Sequence, residues 1–331
     1  MGAAETRSRE YPVRVIYLGG LGRSGSTLLE RLLGELPGVS AAGEIVHLWQ
    51  RGVAENERCG CGLDFSACDF WKQVGKEAFG GWDKIDTGQI GRLKDAVDRT
   101  RQIPRLSQRN SRPGFASELS EYSGFYLRVY RAIADVSGCD ALVDSSKHAS
   151  LAFCLSGRQE IDLRVIHVVR DSRAVAYSWT TTVARPEASG SGQQSPGSYM
   201  TTYSPAKAAG HWNAQNAALQ WLARRGTPVL RVRYEDLVAA TEQTLRRAAT
   251  FAGLPAGELT LPFLHADGDE PYAELTTAHT ASGNPMRFTT GRLPIRGDER
   301  WRSSMPDEQR RLVTALTFPL LRRYGYLGRA A

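Results

Sequence analysis

Short runs of apolar residues alternate with longer amphipathic stretches along most of the chain. Each short run is followed by a polar or glycine-containing turn, which is typical of buried strands. The predicted strands are Val13–Leu18, Ala141–Val143, Leu163–Val169 and Pro228–Val232. The longer stretches have apolar residues at helical spacing, and they predict helices at Ser26–Leu36, Ile90–Thr100, Ser117–Val136, Ala149–Ser156, Arg173–Val183, Ala206–Arg224, Thr241–Ala252 and Pro306–Tyr324.

This alternation predicts a three-layer α/β/α fold in which a central, mainly parallel sheet lies between helices. The chain has 331 residues and is 41% hydrophobic, and we predict a single domain over residues 1–331. Residues 51–139 and 184–205 are predicted to be helical or loop insertions in that domain. The second of these is rich in Gly, Ser and Pro, and residues 261–302 are likewise predicted to be irregular.

Residues 13–30 have the pattern of a strand, a glycine-rich turn and the start of a helix. Aligned on the P-loop pattern G-x-x-x-x-G-K-[ST], Gly20 and Gly25 take the glycine positions and Thr27 the hydroxyl position, whereas Ser26 replaces the lysine. Backbone N–H groups and the helix N-terminus would bind a phosphate there. We therefore expect a P-loop-type fold and a nucleotide, but not ordinary ATP hydrolysis. The alternative is a strand-to-helix turn that binds no ligand.

Two more predicted strands end in cationic residues, at the edge where ligands gather in such sheets. The strand at 163–169 is followed by Arg170 and Asp171, and Ser178 lies two helical turns further on. Arg170 and Ser178 would reach the same anion, and Asp171 is a natural helix N-cap. Lys147 follows the strand at 141–143. The alternative for Arg170 is that it only pairs with Asp171 at the edge of the sheet. The alternative for Lys147 is that it is an ordinary surface lysine.

Composition narrows the function only a little. The net charge of +7 and the pI near 9.3 fit an anionic ligand, but a nucleic-acid-binding surface would give the same totals. The arginines Arg99, Arg101, Arg105, Arg109 and Arg112 form either a solvated loop or a rim that attracts an acidic acceptor. No run is long enough for a membrane span and residues 1–11 are polar, so we expect a cytoplasmic protein.

Three of the five cysteines are clustered, as Cys59-Gly-Cys61 and Cys68. Their spacing is not the C-x-x-C pairing of structural zinc sites, no fourth ligand is evident, and His47 is the only histidine close in sequence. A packed, reduced loop is the main interpretation. A local disulfide and a metal site are the alternatives.

With these motifs the chain resembles the sulfotransferases that use 3′-phosphoadenylyl sulfate (PAPS), and most closely the bacterial members and the tyrosylprotein type. The resemblance covers residues 13–50 and 140–250. It implies that the 5′-phosphosulfate of PAPS is bound by Gly22, Arg23, Ser24, Gly25, Ser26 and Thr27, and the 3′-phosphate by Arg170 and Ser178. Tyr234 lies in a strand-plus-turn, 232–237, that resembles the one following in these enzymes. Ser282 and Arg287 are further predicted cofactor contacts.

The same resemblance implies a base and two cations for the transfer step. Glu44 matches the glutamate that acts as base in the tyrosylprotein type, and His47, on the same helix face, is the rival base. Lys147 matches the lysine of the family and Arg23 lies at the loop. Both are predicted to stabilise the charge that grows on the departing phosphate. This scheme requires no metal.

The predicted function is therefore transfer of the sulfuryl group from PAPS to a hydroxyl of a small-molecule, glycoside or lipid acceptor, with adenosine 3′,5′-bisphosphate (PAP) as product. The acceptor and the oligomeric state stay open, and no nucleic acid is expected as partner. Residues 184–205 are a candidate lid over the acceptor. A P-loop kinase acting on a small molecule or nucleotide is the main alternative, and a non-catalytic nucleotide- or nucleic-acid-binding module is the second.

Overall fold

The computed structural model describes residues 11–108, 112–184, 199–255, 259–265 and 270–327. Three predictions fall partly outside these residues: the polar N-terminal segment, Arg109 of the arginine group, and most of the proposed lid at 184–205. Among the described helices, none combines the length and the apolar character needed to cross a lipid bilayer.

A five-stranded parallel sheet forms the centre of the structure. Its strands occur in the spatial order β2-β3-β1-β4-β5, and every neighbouring pair is parallel. The strands are β1 Val13–Gly19, β2 Val39–Gly43, β3 Ala141–Lys147, β4 Ile161–Val169 and β5 Val229–Arg233. The predicted fold class is confirmed. All four predicted strands are present, and β2 is a fifth that the apolar pattern did not indicate.

Helices cover both faces of the sheet because consecutive strand residues point to opposite sides. In β1, Val15 and Tyr17 lie in one buried cluster, whereas Ile16 and Leu18 lie in another. The eight predicted helices are all present, with ends shifted by up to a few residues. The helices are α1 Ser26–Gly34, α2 Asp69–Phe79, α3 Thr87–Val97, α4 Ile103–Leu106, α5 Pro113–Ser137, α6 Ala149–Ser156, α7 Ser172–Thr180, α8 Pro205–Arg224, α9 Tyr234–Ala239, α10 Thr241–Phe251, α11 Trp301–Ser304 and α12 Asp307–Arg323.

The two buried clusters define the helical layers. The cluster around Val15 and Tyr17 includes residues of α2, α3, α5, α6 and α8. The cluster around Ile16 and Leu18 includes residues of α1 and α10. The segment 51–139 therefore contributes α2, α3 and α5 to the layer on one face of the sheet, and its apolar residues are part of the main core.

The segment 261–302 is more regular than its composition predicts. It contains a small antiparallel sheet of β6 Leu264–His265, β7 Tyr272–Leu275 and β8 Gly291–Pro294. The connection between β7 and β8, residues 276–290, is called the strap below. Arg31 of α1 is buried and donates hydrogen bonds to the strap carbonyls of Thr276, Arg287 and Thr289. The prediction of an irregular segment is wrong for these strands.

Candidate active site

Each strand of the parallel sheet ends at a residue or loop with a predicted role. The loop from Gly20 to Gly25 follows β1 and Glu44 follows β2, while Lys147 is the last residue of β3. Arg170 follows β4, and Tyr234 begins the helix after β5. Since all five strands are parallel, these groups lie along one edge of the sheet. The structure thus brings together groups that are up to 214 residues apart in sequence, from Gly20 to Tyr234.

The loop after β1 has the backbone geometry of an anion cradle. Gly20 has φ 151° and packs so closely on the Val168 carbonyl that no Cβ would fit, and its N–H donates to the Lys147 carbonyl at 3.0 Å. Gly25, with φ 88°, precedes α1 and provides no side-chain cap. The first N–H groups of α1 are therefore oriented for an anion. Around them, Ser24, Ser26 and Thr27 are buried.

Arg23 has an unusual conformation in this loop. Its φ of 72° lies in the left-handed region, which is uncommon and strained for a non-glycine residue. Its Nε and Nη2 atoms are buried and have no hydrogen-bond partner among the described residues. Its guanidinium lies 5.5 Å from the Trp179 ring, and the Trp179 indole donates to the Gly22 carbonyl at 3.0 Å. Buried polar groups are nearly always hydrogen-bonded, so these N–H groups are available to an anionic ligand.

Glu44 and Lys147 form a buried ion pair. The Lys147 ammonium donates to Glu44 Oε1 and, at 3.1 Å, to the Ser145 carbonyl, and both side chains are less than 15% exposed. Burial by itself would raise the pKa of Glu44, but the charge and the hydrogen bond of Lys147 hold it at about 2. Lys147 also has a left-handed backbone, with φ 69°. Of the three non-glycine residues with positive φ among those described, two are thus the predicted cations Arg23 and Lys147.

His47, the rival base, lies beside the same carboxylate. Its Nε2 atom is 3.6 Å from Glu44 Oε2. Burial lowers the pKa of His47 well below its usual value, although the Glu44 charge opposes this shift. His47 is therefore a neutral and weakly basic imidazole near neutral pH.

A second carboxylate, Glu30 of α1, fixes the backbone on both sides of this pair. Glu30 Oε1 accepts the Gly43 N–H at 2.6 Å, and Oε2 accepts the Ser145 hydroxyl at 2.7 Å. Burial raises the pKa of Glu30 to about 7 in spite of these hydrogen bonds and of Lys147. Glu30 connects the end of β2, where Glu44 follows, to β3, where Lys147 is the last residue. The sequence analysis did not identify it, although it lies three residues after Thr27 of the P-loop pattern.

Arg170 links three segments at the other end of the site. Its guanidinium donates to the carbonyls of Arg23, at 3.2 Å, and Asp298, at 2.6 Å, and lies 4.5 Å from the centre of the Tyr234 ring. It is also 3.4 Å from a carboxylate oxygen of Asp298. The Asp298 carboxylate is bonded to Arg300, and its pKa is lowered to about 2. The sequence analysis did not single out Asp298.

Ser178 and Asp171 occupy the helix that follows Arg170. Asp171 caps α7 as expected, with its carboxylate accepting the Arg173 N–H at 2.9 Å. It is Arg173, not Arg170, that pairs with Asp171, at 2.6 Å. Ser178 is partly buried on the last turn of α7, next to Trp179. The assignment of Ser178 to an anion stays a prediction.

Ser282 and Arg287 lie in the strap. The Ser282 carbonyl accepts the Glu44 N–H at 3.1 Å, and its hydroxyl accepts a hydrogen bond from Arg51 at 2.9 Å. The buried Arg287 guanidinium donates to the carbonyls of Thr280 and Arg58, at 2.9 and 2.7 Å. In the structure these two residues hold the strap against Glu44 and against the loop at Arg58. Contact with a cofactor stays a prediction for both.

Comparison with known families agrees with this arrangement. The family model described as "Sulfotransferase domain" matches residues 15–325, which is almost the whole chain. No curated protein matches the chain.

Proposed function

The chain belongs to the sulfotransferase domain family, and from that premise we propose that it transfers the sulfuryl group of PAPS to a hydroxyl of a small-molecule, glycoside or lipid acceptor. The observation that supports this best is the Glu44–Lys147 pair beside a phosphate loop that lacks the P-loop lysine. A carboxylate can take the proton of an acceptor hydroxyl, and the lysine can meet the charge of a departing phosphate.

The residues of the loop fit the 5′-phosphosulfate. The N–H groups at the start of α1 and the hydroxyls of Ser26 and Thr27 offer donors to the phosphate. Arg23 adds buried N–H groups that have no partner among the described residues. PAPS would supply an activated sulfuryl group with a phosphate as leaving group, and Glu44 would take the proton of the acceptor hydroxyl, so the proposed step uses no metal.

The other end of the site fits the 3′-phosphate. Arg170 is fixed by Tyr234 and by the carbonyls of Arg23 and Asp298, which gives the guanidinium one orientation. A fixed, buried guanidinium recognises phosphate through two parallel N–H bonds. We propose that Arg170, with Ser178 on the following helix, selects a nucleotide with a 3′-phosphate over ATP.

Glu44 takes the acceptor proton while the bond from the acceptor oxygen to sulfur forms and the bond from sulfur to the phosphate oxygen breaks. With Lys147 bonded to it, Glu44 has a pKa of about 2 and is a weak base. When Lys147 turns toward the leaving oxygen, its charge no longer offsets the effect of burial on Glu44. The pKa of Glu44 then rises. Glu44 therefore becomes a stronger base only when the leaving phosphate is present to bind Lys147.

The kinase alternative requires a carboxylate that is free to bind magnesium at a strand end. Asp144 is the residue that the sequence offers for this role, and it is fully buried. Its oxygens accept hydrogen bonds from the Tyr130 hydroxyl, at 2.5 Å, and from the Ser146 N–H and hydroxyl. Asp144 is thus occupied inside the protein, which argues against the kinase.

The remaining parts of the proposal concern the domain organisation, the location and the partners of the protein. We propose one domain over residues 1–331, with the segments 51–139 and 184–205 on the acceptor side, and a cytoplasmic location. The basic net charge supports an anionic cosubstrate and does not require a nucleic-acid partner.

Calorimetric titration tests the proposal. We expect PAP to bind without magnesium and more tightly than ATP with magnesium, and Arg170→Ala to reduce PAP affinity by about 10- to 100-fold. Arg164→Ala is the matched control, because Arg164 lies on β4, the strand that Arg170 follows, pairs with Asp162, and should not affect binding. Transfer of radiolabelled sulfate from PAPS to a panel of hydroxyl compounds then identifies the acceptor. Tighter binding of ATP with magnesium would replace the proposal with the kinase.

A further inference from the structure

Four potential metal ligands meet at one place outside the site described above. Cys59, Cys61 and Cys68 are joined there by His279 of the strap, and their ligand atoms all lie within 4.8 Å of one another. The Cys61 and Cys68 sulfurs are 3.8 Å apart, and His279 Nδ1 is 3.2 Å from the Cys68 sulfur and 3.8 Å from the Cys59 sulfur. The fourth ligand thus comes from more than 200 residues away in sequence.

These distances match a tetrahedral zinc site. With Zn–S of about 2.3 Å and Zn–N of about 2.0–2.1 Å, tetrahedral angles place two sulfurs about 3.8 Å apart and a sulfur and a nitrogen about 3.6 Å apart. A disulfide would need a sulfur–sulfur distance of about 2.05 Å. All five cysteines are free thiols in the structure. A set of three thiolates and one imidazole is soft, which favours zinc over magnesium or calcium.

The backbone around Cys59 and Cys61 brings these two cysteines close to His279. Cys59 and Cys61 lie in a tight hairpin, closed by the Cys59 N–H to the Leu63 carbonyl at 2.8 Å, with Gly62 at φ 89°. Gly60 contacts the strap so closely that a Cβ would clash with the Ala278 carbonyl and the Thr280 hydroxyl. The glycine is required because the hairpin must approach His279 through its backbone.

The sulfurs and the imidazole also have suitable neighbours. Cys68 is the N-cap of α2, where the helix dipole favours a negative charge. Backbone N–H groups of Cys61 and Trp71 face the Cys59 and Cys68 sulfurs. The Phe70 ring stacks on the His279 ring at 5.0 Å and fixes its orientation. Such contacts around the ligands orient them and tune a metal site.

We propose that Cys59, Cys61, Cys68 and His279 form a structural zinc site that fixes the strap to the hairpin at 58–64. With four protein ligands the site is closed, as structural zinc sites are, and it takes no part in the transfer chemistry. The inference is independent of the proposed function, since it rests on residues outside the sulfuryl-transfer site.

The zinc would act on the active site through the strap. Ser282, whose carbonyl accepts the Glu44 N–H, lies three positions after His279. Between them, the Ala281 N–H donates to the Ala42 carbonyl at 2.9 Å, at the end of β2. Metal binding would thus hold the strap on the segment that carries Glu44, and we expect loss of zinc to loosen that segment.

Metal analysis tests the proposal directly. Protein purified under reducing conditions should contain one zinc ion per chain, and the metal-free protein should take up cobalt and gain the near-ultraviolet thiolate band and the intense visible bands of tetrahedral cobalt. Cys68→Ser and His279→Ala should abolish stoichiometric zinc, whereas Cys139→Ser, at a half-buried cysteine outside the cluster, should retain it. Because the cobalt spectrum is recorded on the wild-type chain, the test does not depend on whether the variants fold.

The melting temperature gives an independent readout. Removing zinc with a strong chelator should lower it by several degrees, and added zinc should restore it, because binding energy at a structural site is folding energy. A chain with five reactive thiols that neither contains zinc nor takes up cobalt would overturn the proposal. So would a Cys61–Cys68 disulfide in the isolated protein.

Discussion

The Lys147 ammonium donates a hydrogen bond to Glu44 across the ends of two neighbouring strands, β3 and β2. The two residues are 103 positions apart in sequence, and each is predicted to act in the transfer step. In the proposed mechanism, a single cation would thus serve both the base and the leaving group. The base would stay weak until the lysine turns toward the leaving oxygen.

Replacement of Glu44 tests this arrangement. We expect Glu44→Gln to lower kcat for sulfuryl transfer by about 10²- to 10⁴-fold, because the general base is lost. PAP affinity should be unchanged or higher, since Lys147 no longer has a competing carboxylate. Steady-state kinetics and calorimetry on the same variant measure both effects. Glu55→Gln is the control, because Glu55 is an exposed glutamate in the connection that follows β2. This substitution should leave both kcat and PAP affinity unchanged.

If Glu44→Gln keeps the wild-type kcat, the base lies elsewhere. His47 is then the first residue to test, because its imidazole is 3.6 Å from the same carboxylate.

Arg23 offers a test in which stability and binding change in opposite directions. Its left-handed φ of 72° and its buried Nε and Nη2 destabilise the ligand-free protein. Arg23→Gly removes both costs and should leave the melting temperature equal or higher, while PAP affinity falls by at least about tenfold. Arg23→Ala is the matched comparison, since it loses the same charge but keeps a Cβ at positive φ.

Thermal unfolding and calorimetry on the two variants separate the backbone from the side chain. We expect similar losses of affinity in both and a higher melting temperature for the glycine variant. Unchanged PAP affinity in both variants would remove Arg23 from the binding site.

The sequence was sufficient to predict the sheet, its helices and most of the strand-end residues, because these depend on local patterns. The apolar runs gave four strands, and the P-loop pattern placed the loop before α1. β2 was missed because its five residues, Val-Ser-Ala-Ala-Gly, have small side chains and no strong β-forming run. The register of β2 with β3 and the burial of β2 depend on contacts with α1 and α5. Such long-range contacts are not visible in a local sequence pattern.

The sequence also could not predict the residues that contact the candidate sites from distant parts of the chain. Glu30, Asp298 and His279 occupy no defined position of a motif, and each acquires its role only when the chain folds. The cysteine cluster illustrates this: the sequence analysis found no fourth ligand near Cys68 in sequence, and the candidate that the structure brings to the cluster, His279, lies in the strap. Spacing rules detect ligands that share one loop, and they fail where two distant loops each contribute.

Gly25 is required by the packing of the loop against Tyr234. A Cβ at Gly25 would clash with the Tyr234 ring, and φ is 88°. We expect Gly25→Ala to lower the free energy of unfolding by about 3 kcal/mol or more, combining strain with overpacking. Gly226→Ala is the control, because Gly226 has φ 95° but open space around a Cβ, and strain alone should cost about 1–2 kcal/mol.

Urea unfolding of the single variants and of Gly25→Ala with Tyr234→Ala separates the two contributions. The double variant should recover the overpacking part of the Gly25→Ala loss. An equal loss in Gly25→Ala and Gly226→Ala would mean that the Tyr234 ring moves aside without cost.

Glu30 should make the stability of the protein depend on pH. Burial raises its pKa to about 7 in the folded state, against 4.5 as the ordinary value. Between these values the folded state binds more protons than the unfolded state, so this residue's contribution to stability falls as pH rises from about 4.5 to 7. Glu30→Gln cannot ionise. The free energy of unfolding of the variant minus that of the wild type should therefore increase by on the order of 2 kcal/mol from pH 5 to pH 8.

Urea unfolding at several pH values measures this difference. Other titrating groups, such as Asp144, whose pKa burial raises to about 6, contribute to both proteins and cancel in the comparison. Glu118→Gln, at an exposed position of α5, is the control. If Glu30→Gln gives a difference that does not change with pH, Glu30 is ionised in the folded protein throughout this range. The hydrogen bonds from Gly43 and Ser145 would then outweigh its burial.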